Sequence, residues 1–191
     1  MKPQHDPFNH HRRSIRLQEY DNTQEGAYYV TICTYNRECI LGEMLDGDVR
    51  LGVYGRIALD RWEDIPAHFP QADLDEFVVM PNHVHGIIVI LGEKGRGKAY
   101  LAPTPEFGKP IPGSLSVVVG SFKSAVTKRI NDVRGTPGAT VWQRGFYEHV
   151  IRDEDDLNRV RQYIVENPLH WERDHENPAY VSRAESSRDE A

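Results

Sequence analysis

The sequence predicts one α+β domain built around an antiparallel sheet. Segments dense in β-branched and aromatic residues follow one another along the chain, separated by segments whose apolar residues recur at helical spacing. The 191 residues suffice for a single domain with a hydrophobic core and some appended segments. The order of these segments therefore decides the topology.

The chain from residue 27 to residue 66 predicts a strand, a small hairpin and a helix. Residues 27–35, AYYVTICTY, have the β-branched and aromatic composition of a strand. Asp46-Gly47 is typical of the tight turn of a hairpin. Residues 53–66 place apolar side chains at helical spacing, and we expect Pro66 to close this helix.

Two strands and a loop are predicted next. Residues 74–80 and 83–91 are apolar runs on either side of Pro81-Asn82, which indicates a sharp corner between two strands. Residues 92–113 are rich in Gly, Pro and Lys and have no apolar period, so we expect a flexible loop.

The last third of the chain predicts a helix, a strand and a further helix. Ser114 precedes apolar residues at helical spacing as far as Ile130 and is a candidate N-cap. Residues 146–151 read as a strand, and Asp153 would cap the helix that follows it. We expect Pro168 to end that helix, because the residue before proline disfavours the α conformation.

Strand, helix, strand, strand, helix and strand is the βαββαβ order of a ferredoxin-like or RRM-like sheet with helices on one face. The final helix is an addition to that pattern. The expected organisation is a basic N-terminal arm at 1–20, a domain at 21–172 that contains the loop 92–113, and a polar tail at 173–191.

Composition predicts a soluble, cytoplasmic protein. No window approaches 18 consecutive apolar residues, and the N-terminus lacks the apolar stretch of a signal peptide. Cys33 and Cys39 lack CxxC spacing and are expected to be reduced thiols. The net charge of −6 argues against a simple nucleic-acid binder, but residues 114–152 carry six basic and only two acidic residues.

His83 and His85 are the first candidates for chemistry. Residues two apart on a strand point to the same side, so both imidazoles can reach one divalent metal. Two half-exposed strand histidines are the alternative. The pair opens a strongly apolar strand, where core packing would favour Val or Ile, and this favours the metal interpretation.

Tyr163 and Asn167 are the second candidates. They lie four residues apart and therefore share one face of the last predicted helix. A tyrosine attacks a phosphodiester only when a cation offsets the developing charge, which a neighbouring histidine–metal site would provide. The alternative makes Tyr163 a packing residue and Asn167 a C-terminal cap.

These residues lie in motifs that resemble a known family. Residues 80–86, MPNHVHG, look like the His-hydrophobic-His signature of the HUH single-strand nucleases. Other segments are similar to the REP-associated branch of the single-tyrosine HUH transposases: residues 12–17 (RRSIRL), 29–34 (YVTICT), 36–37 (NR), 142–143 (WQ), 146–152 (FYEHVIR) and 163–168 (YIVENP). The resemblance runs from about residue 10 to residue 172 with its order and spacing kept.

The resemblance implies an RRM-like core and a metal-dependent enzyme. His83 and His85 would bind Mg²⁺ or Mn²⁺, and Asn167 would stand where related transposases place a third, amide-bearing ligand, often Gln. Tyr163, on a catalytic last helix, would attack single-stranded DNA and leave a 5′-phosphotyrosine link and a free 3′-OH. The expected substrate is a REP-like palindromic hairpin, and the oligomeric state stays open between monomer and dimer.

Further residues have two interpretations each. His149 could support the metal ligands or carry a proton, and a structural role is the alternative. Tyr147 is the rival nucleophile, and Trp142 could stack on a base or be buried. Six cations could contact phosphates, with a flexible arm or a solvated helix face as the alternative: Arg12, Arg13, Arg16, Lys123, Lys128 and Arg129.

One motif and two functional alternatives also bear on function. Residues 92–98, GEKGRGK, nearly match a phosphate-binding loop, but Ala99 replaces the Ser/Thr and four prolines follow, so we interpret them as a loop. A non-catalytic RRM-like module could bind single-stranded nucleic acid without metal. A metal hydrolase could activate water at the His pair and would tolerate Tyr163→Phe.

Overall fold

A computed structural model describes residues 25–92 and 113–181 of the chain. The predicted arm with Arg12, Arg13 and Arg16 lies outside the described residues, as does most of the predicted loop.

Within residues 25–92 and 113–181, four strands form one antiparallel sheet and two form a small hairpin. The large sheet has the order β4-β5-β1-β6, which is the strand order of a ferredoxin-like fold with the hairpin β2–β3 inserted after its first strand. The strands are β1 (Gly26–Cys33), β2 (Gly42–Leu45), β3 (Asp48–Leu51), β4 (Ala72–Val79), β5 (His83–Ile90) and β6 (Tyr147–Ile151). This confirms the predicted fold class.

In the described part of the chain, four α-helices cover the sheet: α1 (Val53–Glu63), α2 (Ile65–His68), α3 (Leu115–Arg134) and α4 (Glu154–Glu166). Both predicted N-caps form: Ser114 accepts a hydrogen bond from the backbone of Val117, and Asp153 accepts one from Asp156. Gly135, in the left-handed conformation, ends α3 at its C-terminus.

The two faces of the sheet have different partners. Tyr28, Val30 and Ile32 of β1 belong to the main core together with residues of α1 and α3. Tyr29, between them, belongs to a second apolar cluster with Val160 and Ile164 of α4. Because strand side chains alternate, this second face also receives every other residue of β5 and β6.

One predicted helix end and one predicted backbone conformation were wrong. Pro66 does not close α1, which already ends at Glu63; it lies in the first turn of α2, where its missing N–H removes no helical hydrogen bond. The helix α4 ends at Glu166, just before Asn167-Pro168 as predicted. Asn167 itself adopts an α conformation despite the proline that follows, and the chain continues as a 3₁₀ helix over Asn167–Arg173. Asn167 is buried, so tertiary contacts override the local preference.

Replacing Gly86 with alanine is expected to destabilise the fold. An added Cβ would lie 2.3 Å from Cζ2 of the fully buried Trp62 and 3.0 Å from Cβ of Phe77. Overpacking of this kind costs about 1–3 kcal/mol of unfolding free energy, measured by chemical denaturation. Gly120→Ala is the matched control: nothing lies within 4 Å of its added Cβ, and alanine stabilises a helix by up to about 1 kcal/mol. Equal stability of Gly86→Ala and the wild type would contradict the tight packing against Trp62.

Candidate active site

The register of the sheet places His83 and His85 side by side on the face that α4 covers. His83 lies opposite Cys33, and His85 lies opposite Thr31 on β1. Both histidines are fully buried, and their ring centroids are 4.3 Å apart. The alternation predicted from the sequence is therefore confirmed, and the alternative of half-exposed histidines was wrong.

His83 is held in one orientation by Asn82. The Asn82 amide nitrogen donates to the carbonyls of Arg37 and Glu176 at 3.0 and 2.7 Å, which turns its Oδ1 toward His83 Nδ1 at 2.8 Å. Nδ1 must therefore carry the proton, and Nε2 keeps its lone pair. Burial lowers the pKa of His83, although Asp174 and Glu176 oppose this effect. A neutral imidazole with a lone pair on Nε2 is the form that binds a metal.

His85 is oriented by two hydroxyl groups of β1. Its Nδ1 lies 2.8 Å from the Tyr29 hydroxyl and 3.0 Å from the Thr31 hydroxyl. These contacts engage Nδ1, so Nε2 is the ring atom that can serve as a ligand. Burial, followed by the proximity of Tyr163, raises the pKa of Tyr29 well above its ordinary value, so this phenol keeps its proton.

Asp174 completes a group of three residues that can bind a metal. One ligand atom from each of His83, His85 and Asp174 lies within 4.8 Å of the other two. Oδ2 of Asp174 is 3.9 Å from Nε2 of His83. Sequence reasoning placed this residue at the start of the polar tail and missed it, because a lone aspartate among polar residues has no recognisable pattern.

Residues after the 3₁₀ helix return to the site through a buried ion pair. Glu176 is 4% exposed and its Oε2 lies 2.7 Å from Nε of Arg37. The Cys33 thiol donates to the same oxygen at 3.3 Å, and burial, then the charge of Glu176, raises the pKa of this thiol well above its usual value. Cys33 is thus a protonated, free thiol, as predicted, and its protonated sulfur is a poor metal ligand.

Asn167 lies at the same site. Its amide nitrogen donates to Oδ2 of Asp174 at 3.2 Å. Its Oδ1, like Nε2 of His83, is buried and makes no well-formed hydrogen bond to the described residues. Two imidazole nitrogens, a carboxylate and an amide oxygen form a mixed donor set that can hold a divalent cation, so the residues present fit such an ion.

Tyr163 lies on α4, one helical turn before Asn167. Its side chain is half-buried, and its ring centroid is 5.4 Å from that of His85 and 6.0 Å from that of Tyr29. The structure therefore brings the predicted nucleophile and the predicted metal ligands into one place.

The chain is 41% identical over 169 residues to an uncharacterised protein of Haemophilus influenzae. The match covers 86% of this chain and 92% of that protein. The chain belongs to the same family as that protein. No protein-family model matches the chain.

Two solved structures resemble this family member. A REP-associated tyrosine transposase bound to a REP hairpin matches with 19% identity and a TM-score of 0.47, over 76% of this chain and 68% of the other. A candidate transposase from Deinococcus radiodurans matches with 17% identity and a TM-score of 0.44, over 79% of this chain and 95% of the other. Because both TM-scores lie below 0.5, the fold assignment rests on the strand order and register given above.

His149 does not support the metal ligands. Its Nε2 lies 2.9 Å from Oδ2 of Asp156, which also accepts from the backbone of Arg152. Asp156 is in the first turn of α4, and its carboxylate carries a lowered pKa because His149 and other donors outweigh the cost of burial. His149 therefore ties β6 to the start of α4, the structural role that was the alternative.

The predicted DNA-contacting cations differ in their surroundings. Lys123 is partly buried and donates to the carbonyls of Gln143 and Gly145, both at 2.7 Å, so it has a structural role. Lys128 is exposed and pairs with Asp132 one turn along α3 at 2.8 Å. Arg129 is exposed on the same helix. Trp142 is 5% exposed and packs against Phe122, which is the buried alternative rather than a base-stacking position.

Within the two described ranges, no helix combines the length and the apolar character that crossing a bilayer requires.

Proposed function

We propose that the protein is a single-stranded DNA endonuclease and strand transferase of the HUH transposase type, with Tyr163 as its nucleophile. The observation that carries this proposal is the position of Tyr163, whose ring lies 5.4 Å from that of His85 in the three-residue group that can bind a metal. A nucleic-acid-binding module needs neither a buried metal-binding group nor a tyrosine beside it.

The residues that would hold the ion are His83 and His85 through Nε2, Asp174 through its carboxylate and Asn167 through Oδ1. Bound Mn²⁺ or Mg²⁺ would supply electrostatic stabilisation of the charge that develops on a phosphodiester. Both imidazoles are held through Nδ1: Asn82 contacts that atom of His83, and the hydroxyl groups of Tyr29 and Thr31 contact that atom of His85. This support holds the nitrogen lone pairs in place before substrate arrives.

Tyr163 would attack the scissile phosphorus through its hydroxyl oxygen. The bond from phosphorus to the tyrosine oxygen forms while the bond from phosphorus to the 3′ oxygen breaks. The phenolic proton is lost, and the leaving 3′ oxygen takes up a proton and becomes a 3′-OH. Attack by a second 3′-OH on the 5′-phosphotyrosine reverses these steps and rejoins strands, without any external energy source.

The proposed substrate is single-stranded DNA next to a palindromic hairpin of the REP kind. This part of the proposal comes from the sequence motifs that resemble REP-associated transposases. The exposed Lys128 and Arg129, with Arg12, Arg13 and Arg16 of the N-terminal arm, are proposed to contact backbone phosphates. Lys123 is left out because its ammonium already binds two carbonyl groups.

A covalent-adduct assay tests the proposal. The purified protein is incubated with Mn²⁺ and with labelled single-stranded hairpin oligonucleotides taken from the flanks of its own gene, then separated on a denaturing gel. A labelled band at protein mass that requires Mn²⁺ and disappears with chelator is expected. Cleavage without such a band would favour a hydrolase that activates water. Binding with neither band nor cleavage, across all flanking hairpins, would make the protein a binding module.

A further inference from the structure

Tyr29 carries a hydroxyl group that the packing of the protein does not need. Its side chain is fully buried on β1, within the apolar cluster that includes Ile87, Val160 and Ile164. Phenylalanine would fill the same space and avoid the cost of burying a polar group, which is about 1–3 kcal/mol when the group lacks a partner. The presence of a tyrosine rather than a phenylalanine at this position is therefore explained by the contacts of its hydroxyl group.

Those contacts connect the metal-ligand side of the site to β1. The Tyr29 hydroxyl lies 2.8 Å from Nδ1 of His85 and accepts a hydrogen bond from the Thr31 hydroxyl at 3.1 Å. Thr31 is itself 3.0 Å from the same nitrogen of His85. His85 Nδ1 thus has two hydroxyl neighbours, and the Thr31 contact remains when the Tyr29 hydroxyl is removed.

The second hydroxyl contact of Tyr29 is on α4. Tyr29 makes a hydrogen bond to the side chain of Tyr163, and the two rings meet edge to face at 88° with centroids 6.0 Å apart. Tyr163 is only half-buried on α4, whereas Tyr29 is fully buried on the strand that α4 covers. Tyr29 is the buried, fixed group to which the hydroxyl end of Tyr163 is tied.

We propose that Tyr29 is a positioning residue, which ties the hydroxyl of Tyr163 to His85 and holds the nucleophile at the metal-binding group. This inference rests on the proposed function, since it assigns Tyr29 a role in that reaction. Misplacing a reacting atom by about 1 Å can lower a rate about 10²-fold, so loss of this one hydrogen bond has a measurable effect. Binding of hairpin DNA does not depend on it, and the Thr31 contact to His85 remains, so saturating Mn²⁺ still fills the site.

The test compares Tyr29→Phe with Tyr28→Phe. Tyr28 is the neighbouring residue on the same strand and is equally buried, but it belongs to the core on the opposite face. The first measurement is the ¹³Cζ resonance of Tyr163 in tyrosine-labelled protein, assigned by its absence from Tyr163→Phe. We expect this resonance to shift in Tyr29→Phe and to stay in place in Tyr28→Phe.

The second measurement separates positioning from binding. Under single-turnover conditions with saturating hairpin and Mn²⁺, we expect Tyr29→Phe to form the covalent adduct about 10- to 100-fold more slowly. Its affinity for hairpin DNA should stay within about twofold of the wild type, since no contact to DNA is removed. Its Mn²⁺ affinity, titrated separately, should fall by no more than the roughly 10- to 100-fold typical of a residue that supports a ligand, and the saturating Mn²⁺ of the rate assay offsets this loss. Tyr28→Phe should retain the wild-type rate.

Three results would overturn the inference: an unshifted Tyr163 resonance in Tyr29→Phe, an unchanged adduct rate, or equal losses in both variants. The resonance requires no activity, so it distinguishes failure of the inference from failure of the proposed function. If the wild type forms no adduct while the Tyr163 resonance still shifts, the nuclease proposal fails and the tie between Tyr29 and Tyr163 is supported.

Discussion

Tyr163→Phe is expected to abolish the covalent protein–DNA adduct and to lower metal-dependent cleavage at least about 10³-fold. Phenylalanine keeps the ring that packs against His85 and Tyr29 but removes the oxygen that attacks phosphorus. Loss of a covalent nucleophile leaves only the catalysis that binding and electrostatic stabilisation provide. Hairpin affinity should be unchanged. The adduct and the cleavage are measured on one denaturing gel, and the affinity is measured by a binding titration.

Tyr147→Phe is the companion variant, because Tyr147 is the other tyrosine that the sequence offers as nucleophile. It lies on β6, and its ring contacts that of Tyr29 at a centroid distance of 6.2 Å, while Tyr163 contacts both Tyr29 and His85. We expect Tyr147→Phe to retain the adduct. An adduct that persists in Tyr163→Phe and disappears in Tyr147→Phe would reverse the assignment, and cleavage that persists in both without an adduct would indicate water as the nucleophile.

The parts of the fold that sequence predicts are those set by local pattern. Alternation fixes the common face of His83 and His85, and the register confirms it by placing them opposite Cys33 and Thr31. Capping chemistry fixes the starts of α3 and α4, where Ser114 and Asp153 accept the expected hydrogen bonds. The order of strands and helices then restricts the topology to few alternatives.

Asp174 could not be predicted because its position depends on contacts that are distant in sequence. Asn82 holds the carbonyl of Glu176 across 94 residues, and Arg37 pairs with the Glu176 carboxylate. These two contacts bring the segment that looks like the start of a polar tail back against the buried histidines. The conformation of Asn167 was predicted wrongly for the same reason, since a local preference before proline is weaker than burial of the side chain beside Asp174.

The roles of single polar residues could not be read from sequence either. Lys123 and Lys128 lie on the same helix and look equivalent, yet one donates to two backbone carbonyls and the other pairs with an exposed aspartate. His149 follows a strand alternation like that of the His pair, but its partner is Asp156 of α4. In each case the partner comes from another element, so only the tertiary arrangement decides the role.

Removing either histidine of the metal-binding group is expected to lower Mn²⁺ affinity by at least about 100-fold. Both His83→Ala and His85→Ala delete one imidazole donor, and ligand losses exceed the 10- to 100-fold effects of residues that merely support ligands. Isothermal titration with Mn²⁺ measures the change without any need for activity. His170→Ala is the matched control, since this histidine lies on the exposed side of the 3₁₀ helix with 68% of its side chain accessible. A loss in His170→Ala equal to that in His83→Ala would contradict the site.

The same titration decides between the two oxygen donors. Asp174→Asn keeps the shape of the side chain but removes the charge that draws a divalent cation, whereas Asn167→Ala removes a neutral amide oxygen. A charged ligand contributes more electrostatic free energy than a neutral one in a buried site, so Asp174→Asn is expected to weaken Mn²⁺ binding about 10-fold or more, and Asn167→Ala to weaken it less. If Asn167→Ala weakens binding while Asp174→Asn binds as the wild type does, then the amide is the third ligand, as the sequence resemblance implies, and the carboxylate serves only to hold it through the hydrogen bond between them.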